Sequence, residues 1–347
     1  MIREASEQEI QNWDNLIEKN PDGGHFLQSR EWAEFKLGLG WKPLYKVYET
    51  KELTVAILVY ERTVRGLGTI WYISKGPGVV NQEDLYKIVE AIKASKPKAF
   101  LLKVEPELDV DDVDLAQANK IGLVKPARNV QLKATITVDL RPSEEEIIAS
   151  FKQKARYNIR LSAKRGVSVN AVEPTPENIE TVYHLITSVH ERAAFFFPDK
   201  SYFMQYWQKL IKSGHGQFFI AEHEGEPLAA AFIIQMGRHA WYKDGGSVRN
   251  KRELMAPHLM QWEIMRWAKE RGAERYDLLG SPTRDQLDGS HPLHSLYQFK
   301  SGFNENILEF AGTLDLPLNA RKYQLWTGGL ERATLAVNSR RKHNLWY

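Results

Sequence analysis

The chain has 347 residues, 43% of them hydrophobic and 26% charged, with a net charge of +3. That exceeds the roughly 100–200 residues of one domain and suits two packed domains of an ordinary globular protein. The sequence contains no cysteine, which excludes disulfides, thiolate zinc sites and cysteine nucleophiles together. No run reaches the ~18 apolar residues of a membrane span. The acidic start Met1–Ile10 lacks the apolar block of a signal peptide, so a cytoplasmic protein is expected.

Ile10, Trp13, Leu16 and Ile17 fall at helical spacing and predict a first helix, stopped by Pro21-Asp-Gly-Gly24. Ser29 caps a second helix running to Lys36, with Glu31 and Glu34 suiting its positive end; Gly38 and Gly40 break it before Trp41. Tyr45–Tyr48, Thr54–Tyr60 and Thr69–Ile73 read as antiparallel strands. Then come a loop at Lys75–Gly78, a helix over Asp84–Ala94 and an apolar strand, Ala99–Val104, ending at Glu105-Pro106. This order predicts a mixed α/β sheet. Asp109–Lys120 reads as helical and Gln131–Leu140 as a strand.

Arg141-Pro142 is taken as a domain boundary, dividing the chain into 1–141 and a second domain from 142. Three acids after Ser143 open a helix that is expected to continue to Gly166 through the acid-free block Lys152, Lys154, Arg156, Arg160, Lys164 and Arg165. Arg156, Arg160 and Lys164 are four apart and share one face, which suits nucleic-acid phosphates or plain solvation. Strand Val167–Val172, helices Thr175–Ala194 and Tyr202–Ser213, and strands Phe218–His223, Pro227–Met236 and His239–Lys243 follow. A long helix, Glu253–Arg271, is ended by Gly272; strand Tyr276–Leu279 and helix Leu293–Phe299 come after it. Both halves therefore run helices, antiparallel strands, a helix and a further strand. The tail sets Arg321, Lys322, Arg332, Arg340, Arg341 and Lys342 against Glu331 alone.

That order is the one of N-acetyltransferase-type (GNAT-like) folds, which bind the coenzyme A pyrophosphate at a glycine-bearing loop before the long helix. Here the loop is taken as Gly245–Pro257, and Arg252, Glu253 and Met255 stand where small residues are needed, so coenzyme A is disfavoured. Lys300, between Phe299 and the turn Ser301-Gly302, is either a solvated helix end or a cation aimed at a reacting group. His291 and His294 are separated by Pro292 with no acid close by, so no metal site is expected. No Gly-x-Ser-x-Gly elbow for a hydrolase nucleophile occurs.

The chain resembles the FemABX peptidoglycan-bridge aminoacyltransferases. The matching residues are Gln28-Ser-Arg-Glu-Trp32, Phe35-Lys36, Gly40-Trp41, Lys75-Gly-Pro77, Lys154-Ala-Arg-Tyr-Asn-Ile159, Ala163-Lys-Arg-Gly-Val167, Leu254-Met-Ala-Pro257, Tyr276-Asp277 with Gly280, and Phe299-Lys300 with Phe303. They span nearly the whole chain in the family's order. The resemblance implies two N-acetyltransferase-like domains, an acceptor-side domain 1–141 completed by 314–347 and a donor-side domain 142–313. It also implies transfer of an amino acid from aminoacyl-tRNA to the side-chain amine of UDP-MurNAc-pentapeptide or a lipid-linked muramyl peptide, the latter at the membrane periphery. A monomer without cofactor is expected, of the short kind lacking a coiled-coil arm.

By the same resemblance Lys300, with Phe299, steadies charge on the ester carbonyl or leaving oxygen, and Lys36 binds acceptor phosphate beside Trp41. Tyr242 lies on the acceptor side and Arg192 or Lys200 meets the acceptor pyrophosphate, while the acid-free stripe Arg156, Arg160 and Lys164 is the surface that could meet tRNA phosphates or simply be solvated. Glu105, before a proline at a strand end, is a candidate base, although water or a substrate group could take the amine's proton. Two rival readings are a coenzyme A-dependent N-acyltransferase and a noncatalytic RNA-binding protein.

Overall fold

The computed structural model describes residues 1–193, 198–289, 291–342 and 346–347, without the side chains of 189–193, 341 and 342. The chain divides into two units, Met1–Lys133 with Glu309–Tyr347, and Ala134–Leu308.

The first unit is built on strands β1 (Ile2–Glu4), β2 (Lys42–Glu49), β3 (Thr54–Val64), β4 (Gly68–Ile73) and β5 (Leu101–Val104). β1 to β4 pair antiparallel in sequence, and β4 pairs parallel with β5. That parallel step needs a crossover, supplied by the helix Gln82–Ala94. Asn81 caps this helix by accepting from the Asp84 N–H, and Leu85, Ile88, Val89 and Ile92 bury its inner face. Each such side chain contributes roughly 1.5–3 kcal/mol by leaving water.

The second unit carries β6 (Ala134–Asp139), β7 (Ser168–Val172), β8 (Gly216–His223), β9 (Glu226–Met236), β10 (His239–Ser247), β11 (Arg275–Asp277) and β12 (Ile307–Glu309). Their order across the sheet is β12-β6-β11-β10-β9-β8-β7. Again one parallel pair, β10 with β11, is joined through a long helix, Ala256–Glu270. Strand β13 (Leu314–Pro317) pairs with β5 and closes the first sheet. Each unit is thus the mixed, largely antiparallel, N-acetyltransferase-like sheet expected from the sequence.

Four differences from the sequence reading have local causes. The first unit ends before β6 rather than after it, because β6 pairs with β11 through Asp139–Arg275 and Thr137–Asp277. The basic block does not continue the helix opened at Ser143: helices Glu144–Ser150 and Gln153–Lys164 are separated where Phe151 turns extended and buries its ring. Gly245 and Gly246 lie inside β10 opposite Ala231 and Ala230, not in a loop. The short strands β1, β12 and β13 carry too few residues for a pattern. Among the described residues, no helix is long and apolar enough to cross a membrane.

Candidate active site

In the second unit the turn after β11 is shaped to receive a cation. Asp277 is buried, and its Oδ1 accepts from the Leu279 N–H at 2.7 Å and from the Thr135 hydroxyl. Leu279 and Gly280 then take φ of 48° and 70°, which turns two successive carbonyls to one side. The Lys300 ammonium donates to both, to Leu279 O and, at 2.8 Å, to Gly280 O. An ammonium has three N–H groups, so one is left without a partner among the described residues. Lys300 is 2% exposed, and burial lowers its pKa to about 7 although Asp277 opposes the shift.

The elements around Lys300 are fixed by packing. Lys300 ends the helix His294–Lys300. The neighbouring Phe299 ring stands edge-on to His258 at 5.0 Å and to Phe303 at 5.4 Å, and Phe303 reaches Phe151 at 5.3 Å. Gly302 allows the approach: a Cβ there would lie 3.0 Å from Phe299 O and 3.3 Å from the Ala155 methyl. Its carbonyl accepts from the Lys152 N–H at 2.9 Å, so the break at Phe151-Lys152 is what docks the Lys300 turn. Asn158 meets His258 at 3.2 Å, and burial, with Lys154 nearby, depresses that imidazole to about 4.

Tyr242 sits in β10 beside a bulge: Tyr242 pairs with Ile233 and Asp244 with Phe232, leaving Lys243 extra. Its phenol lies over Gly245, where a Cβ would come 1.7 Å from the hydroxyl, and burial followed by Asp244 raises its pKa. Asp244 accepts from Tyr206 at 2.5 Å and Trp207 Nε1 at 3.1 Å and pairs with Lys243 at 3.0 Å.

In the first unit Lys36 occupies the last turn of the helix Arg30–Gly38, started by Ser29 accepting from the Trp32 N–H. Gly40, at φ 86°, reverses the chain so that the Trp41 N–H returns to Lys36 O and the Trp41 ring lies 5.7 Å from Lys36 Nζ. Lys36 is 4% exposed, and its ammonium has no hydrogen-bond acceptor among the described residues. Burial, then the charge of Arg62, lowers its pKa to about 7. Arg62, buried on β3, stacks 3.5 Å over the Trp346 ring, donates to Trp346 O at 2.8 Å, and is pushed down to about 10 by burial. Two buried cations thus lie side by side, and among the described residues neither is paired with a carboxylate.

Arg62 was not read from the sequence. Its signal was parity: it falls on the same face as Leu58 and Tyr60 in a strand buried on both sides.

The remaining candidates are dispersed. Glu105 is buried and accepts from the hydroxyls of Tyr72 and Thr313 and the N–H groups of Val130 and Gln131. Lys200, half exposed, pairs with Glu180 and lies 5.5 Å over the Tyr183 ring. The side chain of Arg192 and residues 194–197 lie outside the described residues. Arg156 donates to Ala149 O and Phe151 O, capping the preceding helix, whereas Arg160 and Lys164 are exposed. Lys154 is exposed as well, and Tyr157, between these bases, is 62% exposed. The helix Ala256–Glu270 opens without a glycine, after Lys251 and Met255 in left-handed conformation.

The sequence profile of the FemAB family matches residues 6–121, 121–213 and 208–328. The lipid II:glycine glycyltransferase of Staphylococcus haemolyticus (strain JCSC1435) is 25% identical over 395 residues, covering 91% of this chain and 93% of its own. That of Staphylococcus aureus (strain MRSA252) is 25% identical over 398 residues, covering 91% and 93%. The crystal structure of FemX superposes with a TM-score of 0.81 at 22% identity, covering 94% of this chain and all of that one. The structure of L-PGS from Bacillus licheniformis gives a TM-score of 0.54 at 15% identity, covering 93% and 96%. This chain belongs to the FemAB family of aminoacyltransferases.

Proposed function

We propose that the protein transfers an amino acid from aminoacyl-tRNA to the side-chain amine of a muramyl stem peptide, with a lipid-linked acceptor of the lipid II kind as substrate. The observation that carries this is Lys300, a buried ammonium held by two carbonyls with its third N–H unpartnered among the described residues. The aminoacyl ester is already activated, so the protein has to position it and stabilise charge on oxygen. The amine attacks the ester carbon, the C–N bond forms, and the bond to the ribose oxygen breaks. Lys300 donates to the oxygen that becomes negative. The amine's proton leaves to water or a substrate group, since the Glu105 carboxylate is filled by four donors and serves to tie the end of β5.

Lys36 and Arg62 receive the acceptor's phosphates, Arg62 through its planar guanidinium and Lys36 as a point charge. Tyr242, at the β10 bulge, lines the acceptor side, with Lys200 or Arg192 as further cations. Lys154, Tyr157, Arg160 and Lys164 form an acid-free face for the tRNA, the tyrosine offering a ring to stack on an unpaired base. Purified protein given charged tRNA and a muramyl pentapeptide forms a new amide. Hydrolysis of the ester without amide formation would remove the acceptor assignment.

A further inference from the structure

The last two helices expose apolar side chains where a solvated helix would carry polar ones. Ala320–Leu325 and Glu331–Lys342 are joined across a kink at Gly329, whose φ is 144°. Trp326 is fully buried and Asn338 nearly so, and these face inward. Outward, Leu325 is 59%, Leu330 47% and Val337 51% exposed. Leu330, Ala333 and Val337 follow one another at three- and four-residue spacing, with the exposed Ala336 and Arg340 beside them.

The charges around these side chains have one sign. Arg321, Lys322, Arg332 and Arg340 are exposed there, and residues 320–340 contain a single acid, Glu331. Glu331 does not offset them at the surface: it accepts from the Tyr347 hydroxyl at 2.7 Å and lies 3.9 Å from the buried Lys103. Lys103 is also paired with Asp315 at 2.8 Å, which fixes the start of the second helix to the sheet.

We infer that this face docks the first unit on a bilayer surface rich in anionic phospholipid. Leu330 and Val337 reach the headgroup boundary and the exposed Arg321, Lys322, Arg332 and Arg340 meet lipid phosphates. Nucleic acid would reward the bases but not Leu330 and Val337, because its outer surface is phosphate and sugar. The inference rests on the lipid-linked acceptor proposed above, which such docking would keep within reach.

The test is co-sedimentation of the full chain with vesicles of phosphatidylcholine alone and of equal parts phosphatidylcholine and phosphatidylglycerol. The protein should pellet with the second and not the first. The pairs Leu330→Glu with Val337→Glu, and Arg332→Glu with Arg340→Glu, should each weaken that binding at least tenfold, with the milder Val337→Ser intermediate. Thermal melts confirm that the variants are folded. Transfer to a lipid-linked acceptor dispersed in detergent should be unchanged in all of them, while transfer to a vesicle-embedded acceptor falls. The inference is overturned if the parent ignores anionic vesicles, if the apolar pair binds them like the parent, or if that pair loses tRNA binding or self-association instead. Failure of the activity itself would appear separately, as no amide with the detergent-dispersed lipid-linked acceptor.

Discussion

Lys300→Met keeps the length of the side chain and removes the ammonium. Burial lowers the lysine's pKa from 10.5 to about 7, so its ammonium is a net cost to folding. Methionine removes that cost and leaves the carbonyls of Leu279 and Gly280 without their donor, a loss of roughly 1–3 kcal/mol each, so the variant should remain folded. In catalysis, loss of one oxyanion donor costs about 3–4 kcal/mol, or ~10²–10³ in rate. Single-turnover transfer from charged tRNA, with circular dichroism as the fold control, separates the two effects. A folded variant that transfers within threefold of the parent rate would refute the role given to Lys300.

Lys36 is charged only below its depressed value, so the acceptor KM should rise with pH through about 7, while loss of charge at Lys300 is read in kcat. Lys36→Met and Arg62→Met should each raise the acceptor KM at least tenfold with little change in kcat, and Lys36→Met should flatten that limb of the profile. An unaltered profile in Lys36→Met would place the titration elsewhere. Between about 7 and the ordinary lysine range the unfolded chain binds protons at Lys36 and Lys300 that the folded chain does not. Urea midpoints should therefore rise from pH ~7 to ~9, and rise less in the double methionine variant. Tyr157→Ala should weaken tRNA binding with little effect on its salt slope, whereas Lys154→Ala and Lys164→Ala should each reduce that slope by about one. Gly246→Ala would place a methyl 2.1 Å from Leu185 O; it should cost ~3 kcal/mol or more in chemical denaturation, since backbone cannot yield as a side chain does.

The sequence revealed what periodicity and caps encode. Leu85, Ile88 and Ile92 mark the buried face of a helix that Asn81 starts, and Ser29 marks the helix that ends near Lys36. The positions of Lys36 and Lys300 in last turns were legible for that reason. Their burial was not, because it depends on partners far away in sequence: Leu279 and Gly280 for Lys300, and β3 for Lys36.

Long-range pairing explains the other misses. Lys103 in β5 looks like an odd charge in an apolar strand until Asp315 is placed beside it from β13. The helix break at Phe151 has no glycine or proline to announce it; it is made by the ring's burial against Trp262 and Phe303. That break also redirects Arg156, which the four-residue spacing had grouped with Arg160 and Lys164, onto the carbonyls of Ala149 and Phe151.

The central claim is transfer from aminoacyl-tRNA to a muramyl peptide amine, and mass spectrometry of the acceptor tests it most directly. With purified protein, charged tRNA and muramyl pentapeptide, the account predicts one added aminoacyl group on the side-chain amine, absent when the tRNA is first digested with ribonuclease. An unchanged acceptor alongside discharged tRNA, or the same amide formed from an acyl-coenzyme A without tRNA, would contradict it.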